Sequence, residues 1–171
     1  MTRPRPSRTV AASLFPALVP LLLGGCSVPQ DGWVGVGRAD DGTLTVFLRT
    51  CTASLHGATL SWSQESGGSI TEWDIDRKAR SLSIQWPLLG PGTDGVTASD
   101  PLLELPVTGR LMEISAWTDN NSYYAEGPEG FRVTDIEALQ PGTVLKYDGG
   151  RAAPHYSVVS ASDFMAGDCT T

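Results

Sequence analysis

Few residues of this chain have types and spacings suited to catalysis. Its two histidines, His56 and His155, could each serve a serine as general base. A Ser–His–Asp triad is defined by geometry rather than chain order, so many serines alone do not make one. There is no G-x-S-x-G elbow, and the strand–turn–helix context that elbow needs is missing too. Asp74 and Asp76 lie two apart in a β-rich run and therefore project to one face, opposite Trp73 and Ile75. Such a pair could share a proton or grip a cation, but a divalent ion needs more oxygen ligands than two. Followed by Arg77 and Lys78, they read as the solvated face of an amphipathic strand. Asp119-Asn120-Asn121 offers oxygen donors in a turn, without the spaced acidic series and closing Glu of a calcium loop. Cys51 with His56 is too small a set for zinc, and no C-x-x-C occurs. No metal or cofactor is expected.

Aromatic residues offer a better lead. Trp62, Trp73 and Trp86 share strand faces with aliphatic neighbours and suit a core. Trp117 does not. In its strand Met112, Ile114 and Ala116 form one face, while Glu113, Ser115 and Trp117 form the other. Tyr123 and Tyr124 follow closely, beyond Asp119 and Asn120. Exposed aromatic rings beside such polar groups suit sugar faces or peptide backbones. Trp117, Tyr123, Tyr124, Asp119 and Asn120 are therefore the candidate binding patch. The competing structural account packs Trp117 under a loop, or turns it inward through a register break near Thr118.

The N-terminus supplies an address. Arg3, Arg5 and Arg8 precede an apolar run from Val10 to Leu23, which ends in Gly24-Gly25-Cys26. A basic start, a short apolar middle and small residues at the cut describe a secretory signal. The run is too short to cross the roughly 30 Å hydrocarbon core as a helix, and Pro16 and Pro20 weaken it further. Leu23-Gly24-Gly25-Cys26 resembles the lipobox of bacterial lipoproteins, with Gly24 where Ala or Ser is usual. The resemblance implies a diacylglycerol thioether on Cys26 and cleavage between Gly25 and Cys26. Two acyl chains suffice for stable anchoring, which one chain does not give. The expected organisation is a signal peptide over 1–25, a lipidated tether over 26–31 and a single domain over 32–171.

Charge excludes some partners. The chain has 12 basic and 19 acidic residues, and loss of the three signal arginines takes the formal charge to −10. That surface repels phosphate backbones and anionic headgroups, so neither nucleic acid nor peripheral lipid docking is expected. With Cys26 carrying lipid, Cys51 and Cys169 remain, and in an exported chain they most simply form one disulfide. On the chain-entropy model a loop that long is worth about 4–5 kcal/mol.

Positioning falls to β-strands. Period two is nearly everywhere and period 3.6 nearly nowhere. Asp41-Gly42 lies between Trp33–Val36 and Thr43–Leu48 and signals a hairpin. Further strands are expected over 58–63, 69–76, 81–86 (Leu82, Ile84 and Trp86 inward), 111–118, 131–136, 144–147 and 155–160. Single helical turns are expected at Glu137–Gln140 and Asp163–Met165. Many short strands cut by Gly and Pro turns read as an all-β domain, an immunoglobulin-like β-sandwich first and a small open β-barrel second.

The stretch from Leu105 to Ser122, with Phe131–Ile136, Leu139–Val144 and the closing Phe164–Cys169, is similar to secreted or lipid-anchored proteins of high-GC Gram-positive bacteria. Those motifs are turn and core patterns, so the resemblance implies fold and location and no activity. The leading expectation is a lipid-anchored, non-catalytic envelope module on the extracytoplasmic face of the cell membrane, binding a cell-wall glycan or an envelope protein. An accessory subunit comes next and requires an exposed apolar interface. A small cell-wall hydrolase comes last and requires a pocket with a perturbed carboxylate or histidine, with His155 or Asp74 as candidates.

Overall fold

The first strand, β1 (Gln30–Arg38), organises the sheet, and its sequence explains why. Val34 and Val36 point to one side and are fully buried, while Gly35 and Gly37 leave the other side open for close packing. Along one edge β1 pairs antiparallel with β2 (Leu44–Thr50), in continuous register from Gly32↔Thr50 to Arg38↔Leu44. Its other edge is divided. β9 (Tyr124–Glu126) runs parallel to the first part through Gln30↔Tyr124 and Trp33↔Glu126. β11 (Thr143–Lys146) runs antiparallel to the last part through Val36↔Leu145 to Arg38↔Thr143. The computed structural model describes residues 28–51, 56–62, 69–74, 82–93, 96–106, 109–118, 123–149 and 155–167.

From β9 the sheet continues through β8 (Met112–Trp117), β3 (Gly57–Trp62) and β4 (Ser69–Asp74) to two short strands, β7 (Val96–Thr97) and β6 (Gly92–Thr93). β10 (Glu129–Phe131) lies beside β8, β12 (Ser157–Ser160) beside β11, and β5 (Ser83–Pro87) beside β2. The result is a curled, open, mixed sheet, a half-barrel, within the all-β class that the period-two pattern predicts. All the described strands are linked by hydrogen bonds into one sheet, because β1 hands one edge from β9 to β11. Curling brings Val34, Val36, Val46, Leu48, Leu60, Trp86, Ile114, Phe131 and Ile136 into one interior core.

A smaller cluster lies on the outer side. Phe47, Val144 and Phe164 are buried there, with Trp33 and Met165 packed against them. The helix α2 (Ala161–Ala166) supplies Phe164 and begins with a proper cap, since the Ser160 hydroxyl accepts the Asp163 N–H at 3.0 Å. Phe164 meets Phe47 edge to face at 6.2 Å between centroids. A Cβ at position 35 would collide with Val144 and Phe164, so glycine in β1 is what lets the helix close on the sheet. Hence β2 buries both faces: Phe47 is as inaccessible as Val46 and Leu48.

Three local expectations are corrected. Strand 131–136 is strand only up to Phe131, after which α1 (Val133–Glu137) begins. The Asp135 carboxylate accepts the Arg132 N–H at 2.7 Å and caps that turn, so the helical turn starts before Glu137. Val133 and Ile136, three apart, then share the inward side of a helix. Leu82 does not point inward: it precedes β5 and is 48% exposed, whereas Trp86 is buried. The Asp41-Gly42 turn is wider than a two-residue hairpin, because Arg38 pairs with Leu44 and Gly42 N–H returns to Ala39 O. The Asp41 carboxylate accepts the Thr43 N–H at 2.9 Å and is held below the usual carboxylate range by that bond.

Phe164→Ala should uncover Phe47 and Val144 and cost about 3–5 kcal/mol in urea unfolding, as large aromatic truncations in packed cores do. A loss below about 1 kcal/mol would show that α2 is not part of the stable fold.

Candidate functional site

Burial alternates strictly along β8: Met112, Ile114 and Ala116 face the core, while Glu113 and Ser115 face out. Trp117 keeps this outward phase. Register Gly57↔Trp117 places it beside β3, and Trp117↔Tyr124 places it beside β9. No register break turns it inward. The half-buried indole lies over Gly57, where a Cβ would collide with the ring. Its Nε1–H donates to the Thr59 hydroxyl at 2.9 Å, two residues along the same face. The ring is thus fixed between a glycine beneath and a hydroxyl at its edge, with the half-buried Tyr124 directly across the next strand.

Tyr124 is held as firmly. Its phenol donates to the Glu126 carboxylate at 3.0 Å. Burial, then the bond to Glu126 and its charge, push the Tyr124 pKa above the ordinary phenol value. Tyr147 is also raised, first by the charge of Glu126, then by burial and by Glu129 and Asp148. The Glu126 carboxylate therefore acts on both phenols. The Lys146 ammonium sits 5.1 Å from the Trp33 ring centroid, within cation–π range.

The same face continues along β8 to Glu113, which accepts the Ser61 hydroxyl at 2.8 Å. Glu113 stands opposite Glu129 of β10, and the Glu129 backbone O accepts the His155 backbone N–H at 3.3 Å. Ser61, Glu113, Glu129 and His155, with Trp62 and Leu111, border a cleft of about 400 Å³. Other hollows are bordered by described residues. One of about 670 Å³ lies between the β1–β2 turn and α2, bordered by Asp40, Gln85 and Ser162. One of about 290 Å³ lies by β12, bordered by Leu139, Tyr156 and Val158.

Of the five patch residues expected from sequence, the structure brings Trp117 and Tyr124 together. Tyr123 precedes β9, is 38% exposed, and its N–H donates to the Thr118 hydroxyl at 3.2 Å. Asp119 and Asn120 lie outside the described residues, as do Cys26, Cys169 and Asp76. Asp74 ends β4 and pairs with Gly57 and Thr97. Cys51 follows β2, half-buried, with its N–H donating to Asp31 O at 3.0 Å. His56 is exposed, and its backbone N–H donates to Trp117 O at 2.9 Å. Among the described residues no three His, Cys, Asp or Glu side chains gather as metal ligands.

Gly57, Thr59 and Glu126 complete the site, and of these only Glu126 has a sequence signal. Gly57 and Thr59 are separated from Trp117 by some sixty positions, and only strand register joins them. Glu126 was nearer to hand: two residues beyond Tyr124 in a strand, it had to share that tyrosine's face.

Gly57→Ala should lift the indole, shift tryptophan emission to the red and cost about 1–3 kcal/mol, as overpacking does. An unchanged spectrum would show that the ring does not rest on Gly57. Glu126→Gln removes a negative charge that opposes phenolate formation. Ultraviolet titration should therefore show the tyrosines nearest it ionising at lower pH than in the wild type. An unchanged or higher titration range would contradict the Tyr124–Glu126 bond. Comparison with protein-family models, curated proteins and solved structures finds no match.

Proposed function

We propose that this chain is a lipid-anchored, non-catalytic module of the bacterial envelope that holds a cell-wall glycan on the outer face of β3, β8 and β9. The observation that carries the reading is the fixed Trp117 ring beside Tyr124. An aromatic ring held in place loses little further freedom when a sugar stacks on it, and pre-organisation of this kind favours binding. Hydroxyls and carboxylates at its edge, from Thr59, Ser115 and Glu126, suit the hydroxyl groups of a sugar.

Strand pairing favours a sugar over a peptide. β3 is bonded to β4 and β8, and β8 to β3 and β9. With both edges taken, an extended peptide has no free strand edge to join at this place. Ring faces and hydroxyls need only side chains, which this surface presents.

The setting rests on the lipobox-like end. Cys26 would carry the anchor, residues 26–31 would act as tether, and the domain would stand outside the membrane. A disulfide between Cys51 and Cys169 belongs to the same reading. It is supported by the Cys51 sulfur, which is bonded rather than a free thiol. Such a bond would tie the end of β2 to the segment after α2.

The domain from Ser27 onward should co-sediment with purified cell walls, and Trp117→Ala should weaken this at least about tenfold, equivalent to roughly 1.4 kcal/mol. Equal retention of both proteins would remove Trp117 from the site, and release of reducing sugar from the walls would contradict a non-catalytic role. In cells, Cys26→Ser should move the protein out of the membrane fraction. Retention there would contradict the lipid anchor.

A further inference from the structure

The outer face does not end at the tryptophan. Three rows of side chains cross it: Trp117 with Tyr124, then Thr59 with Ser115, then Ser61 with Glu113, Glu129 and His155. The first and third rows are four residues apart on β8, about 13 Å at the usual rise of an extended strand. A ligand that touches both must be an oligomer rather than a single sugar ring. The third row opens into the cleft of about 400 Å³ walled by Trp62 and Leu111. Apolar walls with a few convergent polar groups are what a ligand subsite requires.

Charge decides which oligomer fits. β3, β8, β9 and β10 contain no Lys or Arg. Glu113 and Glu129 stand directly opposite each other on adjacent strands, an arrangement that destabilises a sheet when both are charged. The charge of Glu126, then burial and the charge of Glu129, raise the Tyr147 phenol. An anionic sugar would meet repulsion from Glu113 and Glu129, and a neutral one would leave their mutual repulsion in place. An ammonium group placed between them relieves the repulsion and gains two charge-assisted hydrogen bonds.

We infer that the cleft at Ser61, Glu113, Glu129 and His155 is a second subsite of the glycan face, and that it takes an amine-bearing sugar while Trp117 stacks on a neighbouring ring of the same oligomer. This rests on the glycan reading above and names the class of glycan.

Two probes of equal length separate the two claims: the tetramer of glucosamine, with free amines, and the tetramer of N-acetylglucosamine, which has none. Titrated into the oxidised domain at low salt, the amine form should bind about tenfold more tightly, and the gap should shrink at high salt as screening grows. Glu113→Gln with Glu129→Gln should bring the ratio to about one, and an unchanged thermal midpoint shows that the variant is folded. Equal affinities in the wild type, or a preference for the acetylated form, would overturn the amine subsite and leave the glycan face standing. Binding of neither tetramer would overturn the glycan reading and the amine subsite with it.

Discussion

The structure depends on the divided edge of β1. One strand bonds to β2 along its length, to β9 at its start and to β11 at its end. Everything to one side, from β9 through β8 to β3, and everything to the other, β11 with β12 and α2, hangs from that handover. The alternation of valine and glycine makes it workable. Val34 and Val36 hold the interior, while Gly35 gives Val144 and Phe164 room outside. A bulkier residue at 35 would push α2 away, and the outer cluster of Phe47, Val144 and Phe164 would open.

The candidate site uses the same device further along the sheet. A glycine in one strand makes room for an aromatic ring from another element: Gly35 for Phe164 of α2 and Gly57 for Trp117 of β8. Their surroundings differ. Phe164 is sealed beneath its own helix and contributes to stability. Trp117 stays half-exposed, with its one polar atom engaged by Thr59, among carboxylates and hydroxyls. Among the described residues no helix covers that ring, and the proposed glycan is what it would meet from outside.

Much of this was legible in the chain, within clear physical bounds. The alternation of Met112, Ile114 and Ala116 against Glu113, Ser115 and Trp117 set the facing of β8, and the structure keeps it. Trp86 was rightly placed inside. Strand partners were not legible, because period two says which way a side chain points and nothing about which strand lies alongside. Gly57, Thr59 and the opposition of Glu113 to Glu129 therefore emerged only with the register. The helix α1 was misread because Val133 and Ile136 sit in a short β-rich run. Its signal was Asp135, three residues after Arg132, where an acidic side chain can cap the first turn.

The most direct test of the central claim is to follow backbone amide and tryptophan indole resonances of the isotope-labelled domain while solubilised wall glycan is added. The Trp117 indole N–H donates to Thr59, so its resonance reports on the ring itself. The account predicts shifts at that resonance and at the amides of β3, β8 and β9, with the amides around α2 unmoved. Shifts gathered instead in the hollow between Asp40 and Ser162, or a Trp117 resonance indifferent to saturating glycan, would contradict it.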